Sequence, residues 1–573
     1  MRFFQNLSDS SASSGCIRRR GARFGRAALV LSACAALTTA SQILHANAIL
    51  NEIGFYALPA GLNGAGVNVG QIEANATPPT SSGSYTDTFE VNPSAVNQPQ
   101  GLFTYIDAKG NPSTSTGQSF TFSGGTITDA ISTHANSVGG IFYGAGSASY
   151  GPGVAPGIAH VDNYDANYFE NTVVNSVPPL DTVSNDKVVN QSFVNVFPST
   201  DTTSQELLTE QQIDAEYDNY TTEKGTIFVS AVGNGAQTAN GVTSLSVDPP
   251  STAYDSIAVA ALNGSTVVGG PGPTLDGRAK PDIIAPGGET SYATPLVSGA
   301  AAIMVQAGTG TNLSGGTPVG YSSADGLTPS QYTTDATDVR TVKALLLNGA
   351  VKTGLPTAWT HTHTVPLSYT YGSGLLNVEN SYQNLKAGRV APTFTVAAPI
   401  TNNTTTSEFP TPISPTNAKP ILGGWDFKNT LANAGANSGD AAHYLFSLPH
   451  ASTAYNLIAT LTWNAHVIST STGTESINNL YLFLYNVTGG SSTLVDYSVS
   501  NVDNVQQLYD PGLTQGDTYD LIVFNNGGAT GTTSETYAMA YTVPEPATLG
   551  LLALGATPLF LLRRRRKFSA VAS

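Results

Sequence analysis

Charge is scarce in this chain: only 11% of its 573 residues are Asp, Glu, Lys or Arg. Gly, Thr, Ser and Asn fill the gap, which argues against long charged helices and for a β-rich, loop-rich extracellular architecture. Cysteine is nearly missing. The two present, Cys16 and Cys34, both fall within the first 48 residues. A chain cleaved after Ala48 has none, so disulfides cannot supply its stability and a thiol nucleophile is excluded. Basic residues are few and unevenly placed. Six lie at or before Arg26 and five form the run Arg563 to Lys567. Between those ends acids dominate, which argues against nucleic acid and against an anionic membrane surface as partners. The length is too great for one ordinary domain and sufficient for a large core.

The two ends read as sorting signals. Arg18 to Arg26 precede the apolar, small-rich run Ala27–Ala40, and Ala46-Asn47-Ala48 offers a small-x-small cleavage site. Residues 1–48 are therefore expected to be a secretory signal peptide. Leu31-Ser32-Ala33-Cys34 also resembles a lipobox. At the other end, Val543-Pro544-Glu545-Pro546 is followed by the apolar run Ala547–Leu562 and then by four arginines and a lysine. Motif, apolar run and basic stop, in that order over 544–573, resemble the PEP-CTERM sorting signal of Gram-negative bacteria. The resemblance implies a transmembrane run, transient inner-membrane anchoring, processing by an exosortase-type enzyme, and export to the cell envelope or the exterior.

Between these ends the hydrophobic pattern changes once. Over 49–387, strand-like apolar runs alternate with small-residue helical runs. GVNVGQIEA, KVVNQSFVNV, GTIFVSAVGN and DSIAVAAL read as strands; THANSVGGIFYG, SYATPLVSGAAAIMVQAG and DVRTVKALLLNGA read as helices. That alternation predicts an α/β unit, a mostly parallel sheet flanked by helices. Residues 76–128 and 307–337, rich in Gly, Thr, Ser and Pro, are expected to be surface insertions. A Thr/Pro-rich linker is expected over 388–420. From 421 to 543 six short runs, among them YNLIATLTW and TYDLIVFN, alternate with period two. They predict an antiparallel β-sandwich.

The chemistry begins with four separated residues. A serine hydroxyl is a poor nucleophile until an imidazole takes its proton, and the imidazole needs a carboxylate to hold its tautomer. The tetrahedral intermediate needs preorganised donors. Ser291 opens an Ala/Gly-rich helix after a Pro-Gly-Gly turn, His134 sits in a small-residue block, Glu73 ends a strand, and Asn234 lies between His134 and Ser291. Acid, His, Asn and Ser in this order resemble subtilisin-like serine proteases. KPDIIAPGGETSYATPLVSGAAA is similar to their nucleophile region at Lys280, Pro281, Asp282, Ala285, Pro286, Gly287, Thr290, Ser291, Ala293, Pro295, Val297 and Gly299. STHANSVGG, GVAPG, VVNQSF, FVSAVGNGA and YGSGLLNV resemble further blocks of the family in the right order. The resemblance spans about 61–378 and implies that Ser291, His134 and Glu73 are catalytic. It implies further that Asn234 stabilises the oxyanion, and that Ser192, Phe193 and Val194 bind an extended polypeptide substrate.

Three departures bear on that expectation. The acid is Glu73 where the family has Asp. Glu289 stands where the family has Gly. Phe193-Val194 replaces Leu-Gly after Ser192, which narrows the primary specificity pocket and favours small side chains before the scissile bond. The competing expectation is a catalytically silent surface or matrix-binding protein. No cofactor is otherwise called for. Structural calcium rests on the family resemblance alone, with loop acids such as Asp162 and Asp165 available and no EF-hand spacing. The remaining histidines, including His361-x-His363, lack metal-ligand spacing. The sandwich resembles the jelly-roll domains that follow such catalytic units, on WNAHV, NNLYLFLYN and VDNVQQLY.

Overall fold

Apolar strands that carry few charges can be buried on both faces, and that is how they are used. The computed structural model describes residues 3–6, 47–75, 83–146, 151–239, 241–399, 410–413, 422–433, 438–450 and 454–543. Most of the expected signal peptide and all of the 544–573 tail, with its expected transmembrane run, lie outside the described residues. Among the described residues no helix is long and apolar enough to cross a membrane.

The centre is a nine-stranded, mostly parallel sheet. Asn68–Glu73 lies at its middle, between His160–Asp165 and Val188–Gln191, all parallel. Ile227–Ala231, Ile257–Asn263 and Ile283–Pro286 extend it in parallel on one side. Val69, Ile72, Val188, Val189, Phe228, Val229 and Val259 are fully buried. One face packs the helices Thr133–Phe142, Thr290–Thr309 and Val339–Gly349 into the largest core. The other face packs Ile213, Tyr217 and Tyr220 of the helix Thr203–Lys224 against Ile72, Tyr164, Phe169 and Phe228. That helix opens with a capping box between Thr202 and Gln205 and stops at Gly225 in the left-handed conformation.

The two expected surface insertions are more deeply built in than their composition suggests. Phe103–Ile106 enters the central sheet parallel to His160–Asp165, and Phe89, Val91, Phe103 and Tyr105 are buried. Four residues of alternation inside a Ser/Thr/Gly-rich stretch are too few to register as a strand. In the second stretch, Pro329–Ala336 is a helix whose buried Tyr332 meets Trp425 edge-on, with ring centroids 5.1 Å apart.

Two antiparallel sheets follow. One is five-stranded and begins with Phe394–Pro399, which pairs with Ser438–Ser447. The other is four-stranded, ordered Gly423–Ala432, Ser534–Thr542, Tyr455–Trp463, Val505–Leu513. Each strand alternates between two environments. Tyr537, Met539 and Tyr541 face the core between the sheets. Ala538 and Ala540 join the core of the α/β unit, as do Trp425 and Phe427. Small residues on that face let the sheet lie close on the helices Val339–Gly349 and Val378–Lys386. Polar ties cross the same seam: Thr462 Oγ1 donates to Arg340 O at 2.8 Å, and Asp503 Oδ1 accepts from Ala279 N at 2.6 Å.

Candidate active site

The expected residues converge at the C-terminal ends of the parallel strands. Glu73 is the last residue of its strand. His134 is the second residue of the helix Thr133–Phe142, whose N-cap Ser132 accepts a bond from Ala135 N. Glu73 Oε2 lies 2.7 Å from His134 Nδ1, and the two residues are 1% and 4% exposed. The glutamate thus reaches the imidazole despite its extra methylene. Burial alone lowers the pKa of His134, but the Glu73 carboxylate, its hydrogen bond and the Glu289 charge outweigh that and raise it above the usual value. His134 Nε2 has no hydrogen-bond partner among the described residues.

Ser291 is the second residue of the helix Thr290–Thr309 and is buried. Its hydroxyl donates to Ser192 O at 3.2 Å, so the structure does not place a hydrogen bond between it and His134. The exchange is reciprocal, since Ser192 Oγ donates to Ser291 O at 3.0 Å. Pro295 explains why: having no N–H, it cannot serve the carbonyl four residues before it, and Ser192 supplies the missing donor. Asn190 in turn donates to Ser192 Oγ at 3.0 Å. Close packing of this helix depends on Gly299, where a Cβ would come within 2.4 Å of Val154 Cβ.

Asn234 Oδ1 accepts from Thr290 N at 2.9 Å and from Thr290 Oγ1 at 3.0 Å. An amide anchored by its oxygen presents its nitrogen on the opposite edge, as a donor. Glu289 precedes the helix without capping it, and burial raises its carboxyl against the opposing effect of His134. Tyr292 lies beside the imidazole, with ring centroids 6.2 Å apart.

Phe193 and Val194 begin the strand Phe193–Pro198 and are buried. The backbone edge of that strand pairs antiparallel with Phe3–Asn6, placing Gln5 opposite Val194 and Asn6 opposite Phe193.

Three residues of the site had no signal in the sequence. Gln71 and Tyr143 join the Glu73–His134 pair through hydrogen bonds. Asp248 sits beside Val194 and Gly233: a Cβ on Gly233 would lie 2.8 Å from Asp248 Oδ2 and 3.7 Å from Val194 Cγ1. Burial pushes the Asp248 carboxyl up to about 7, against hydrogen bonds from Ser244 and Leu245.

The acids named for calcium both take partners within the protein. Asp162 and Asp165 lie in a strand rather than a loop, drawn in by the parallel ladder to Asn68–Glu73. Asp162 accepts from Ser184 N and Ser184 Oγ, and Asp165 Oδ1 caps Asn167. Among the described residues no group of three or more His, Cys, Asp or Glu could hold a metal ion. His363 instead stacks on Tyr497 at 3.7 Å, and His361 lies against Trp359.

Residues 113–374 match the model of the subtilase family, Peptidase_S8, and residues 542–567 match the PEP-CTERM protein-sorting motif. No curated protein matches. Similar solved structures include a protease from Pseudoalteromonas arctica, 15% identical, covering 56% of this chain and 90% of that one with a TM-score of 0.30. Another is the PatG macrocyclase in complex with peptide, 12% identical, covering 56% of this chain and 92% of that one with a TM-score of 0.29. His134, Ser192, Asn234 and Ser291 fall inside the family match, and Glu73 falls ahead of it. Over residues 113–374 the chain is thus similar to the subtilase family, and the segment behind it is similar to the PEP-CTERM protein-sorting motif.

Proposed function

We propose that this chain is an exported serine endopeptidase with a Ser-His-Glu variant of the subtilisin triad. The observation that carries the reading is the buried 2.7 Å contact between Glu73 and His134 Nδ1, beside a serine that opens a helix in a subtilase domain. Glu73 holds the tautomer with Nδ1 protonated, which leaves Nε2 as the basic nitrogen. A rotation of the Ser291 side chain away from Ser192 O brings its proton to Nε2, a rearrangement that substrate binding drives. Ser291 Oγ then attacks the scissile carbonyl. His134 passes the proton to the leaving amine and repeats the cycle with water. Asn234 Nδ2 and the Ser291 N–H carry the oxyanion.

The substrate is an extended polypeptide that adds to the edge of Phe193–Pro198. The antiparallel seat taken there by Phe3–Asn6 supports this mode of binding. Val194, filling space beside Gly233, favours small side chains before the scissile bond. The tail implies exosortase processing. Transient inner-membrane anchoring through its apolar run, and a secretory signal over 1–48, complete the proposed route to the envelope or exterior.

A second reading, a silent matrix-binding protein, is favoured by one observation: the Ser291 hydroxyl is turned to Ser192 O. Labelling of the purified chain with a fluorophosphonate serine probe separates the two. Labelling that disappears in Ser291→Ala and falls sharply in Glu73→Ala is expected of the peptidase. A folded chain that stays unlabelled from pH 5 to pH 10 would leave the silent reading standing.

A further inference from the structure

A glutamate has one more rotatable bond than an aspartate, so a buried triad glutamate needs something to hold its carboxylate on the imidazole. Gln71 stands two residues before Glu73 on the same face of the strand. It is fully buried. One N–H of its amide donates to Glu73 Oε1 at 2.7 Å, leaving Oε2 for His134. The other donates to Ala135 O at 2.9 Å, in the first turn of the helix that carries His134. One amide therefore ties the acid and the base helix together. The amide oxygen accepts from the hydroxyl of Tyr143, which is also fully buried. Reversing the amide would set its oxygen against a carboxylate and a carbonyl, so its orientation is fixed.

The helix is shaped for this contact. Ala135, Gly139 and Tyr143 recur every four residues and form one stripe facing Gln71. A Cβ on Gly139 would come within 2.7 Å of Tyr143 Oη and 3.0 Å of Gln71 Oε1. Only a glycine there lets the tyrosine and the glutamine meet.

We infer that Gln71, held in turn by Tyr143, is the positioning residue that lets a glutamate serve as the acid of this site. The inference rests on the peptidase reading for its kinetic consequences, while its structural consequence is measurable without activity. The charged and aromatic groups facing His134 are Glu73, Glu289 and Tyr292. Once Glu73 is free to turn away, burial dominates and the His134 titration midpoint falls.

The test has two arms. In full-length Ser291→Ala protein, the His134 Nδ1–H proton is followed by NMR. Adding Gln71→Leu should broaden that resonance by exchange and lower the imidazole midpoint. In the active chain, Gln71→Leu should lower kcat about 10- to 100-fold with KM held within about twofold, and shift the acid limb of kcat/KM to lower pH. In a Glu73→Asp background the same change should cost less than about threefold, because the shorter side chain no longer reaches the amide. If Gln71→Leu fails to fold, Tyr143→Phe keeps the ring and should act in the same direction more weakly. Equal losses in both backgrounds, or an unchanged Nδ1–H resonance and midpoint, would overturn the inference. Loss of Ser291-dependent labelling in the parent chain would sink the peptidase reading and leave the NMR arm intact.

Discussion

Single side chains carry the sharpest expectations. Asn234→Leu should lower kcat about 10²- to 10³-fold with little change in KM, as loss of one oxyanion donor does elsewhere; a change confined to KM would reassign Asn234 to substrate binding. Lys352 offers a test of electrostatics away from the site. Its Nζ is buried over Trp359 and Tyr509 without a hydrogen-bond partner among the described residues, and burial lowers its pKa to about 7. The unfolded chain keeps that proton up to about 10.5, so the lysine costs stability fully below about pH 7 and not at all above its unfolded value. Lys352→Met should therefore raise Tm at pH 6 by several degrees and leave it nearly unchanged near pH 10.5, as read by calorimetry. Glu73, His134, Asn234 and Ser291 were singled out in the sequence because each sits in a short block that resembles a family motif. Gln71, Tyr143 and Asp248 were not. Gln71 lies in an ordinary strand, and its partner Tyr143 is brought to it across 72 residues only by folding.

Among the elements, the helix Thr290–Thr309 depends on a bond from outside itself. Ser192→Ala would leave the buried Ser291 carbonyl without a donor and should cost about 1–3 kcal/mol. A denaturation midpoint equal to that of the parent would show that the carbonyl finds another donor. The strands Asn68–Glu73, Val188–Gln191, Ile227–Ala231 and Ile257–Asn263 and the helices over 133–142, 290–309 and 339–349 were readable, since apolar runs and small-residue periodicity mark them. The helix Thr203–Lys224 escaped notice because its buried face mixes Ile213, Tyr217 and Tyr220 with Glu210, Asp214 and Asp218. Those acids are tolerated where Arg278 and backbone donors meet them: Arg278 Nη2 reaches Asp214 Oδ2 at 2.7 Å, and Asp218 accepts from Tyr254 N and Asp255 N. Hydropathy cannot foresee a polar face that is buried through pairing.

At the scale of the whole molecule, buried carboxyls set the response to pH. Burial pushes Glu90 and Asp248 up to about 7 and Asp129 up to about 8. Asp87 is raised as well, by burial and by Asp165 beside it. Groups whose folded pKa exceeds the unfolded value favour the fold below about pH 4 and lose that contribution as pH climbs through 7 and 8. Tm should accordingly fall between about pH 4 and pH 8; a flat profile would mean these carboxyls are relieved by bound cations or water. The four-stranded sheet has a different consequence. Its strands put Tyr537, Met539 and Tyr541 into one core while Ala538 and Ala540 close another. Stripping the sheet away would bare the helix Val339–Gly349 to water. Truncation after the helix Val378–Lys386 should therefore yield an aggregating fragment rather than a smaller folded one.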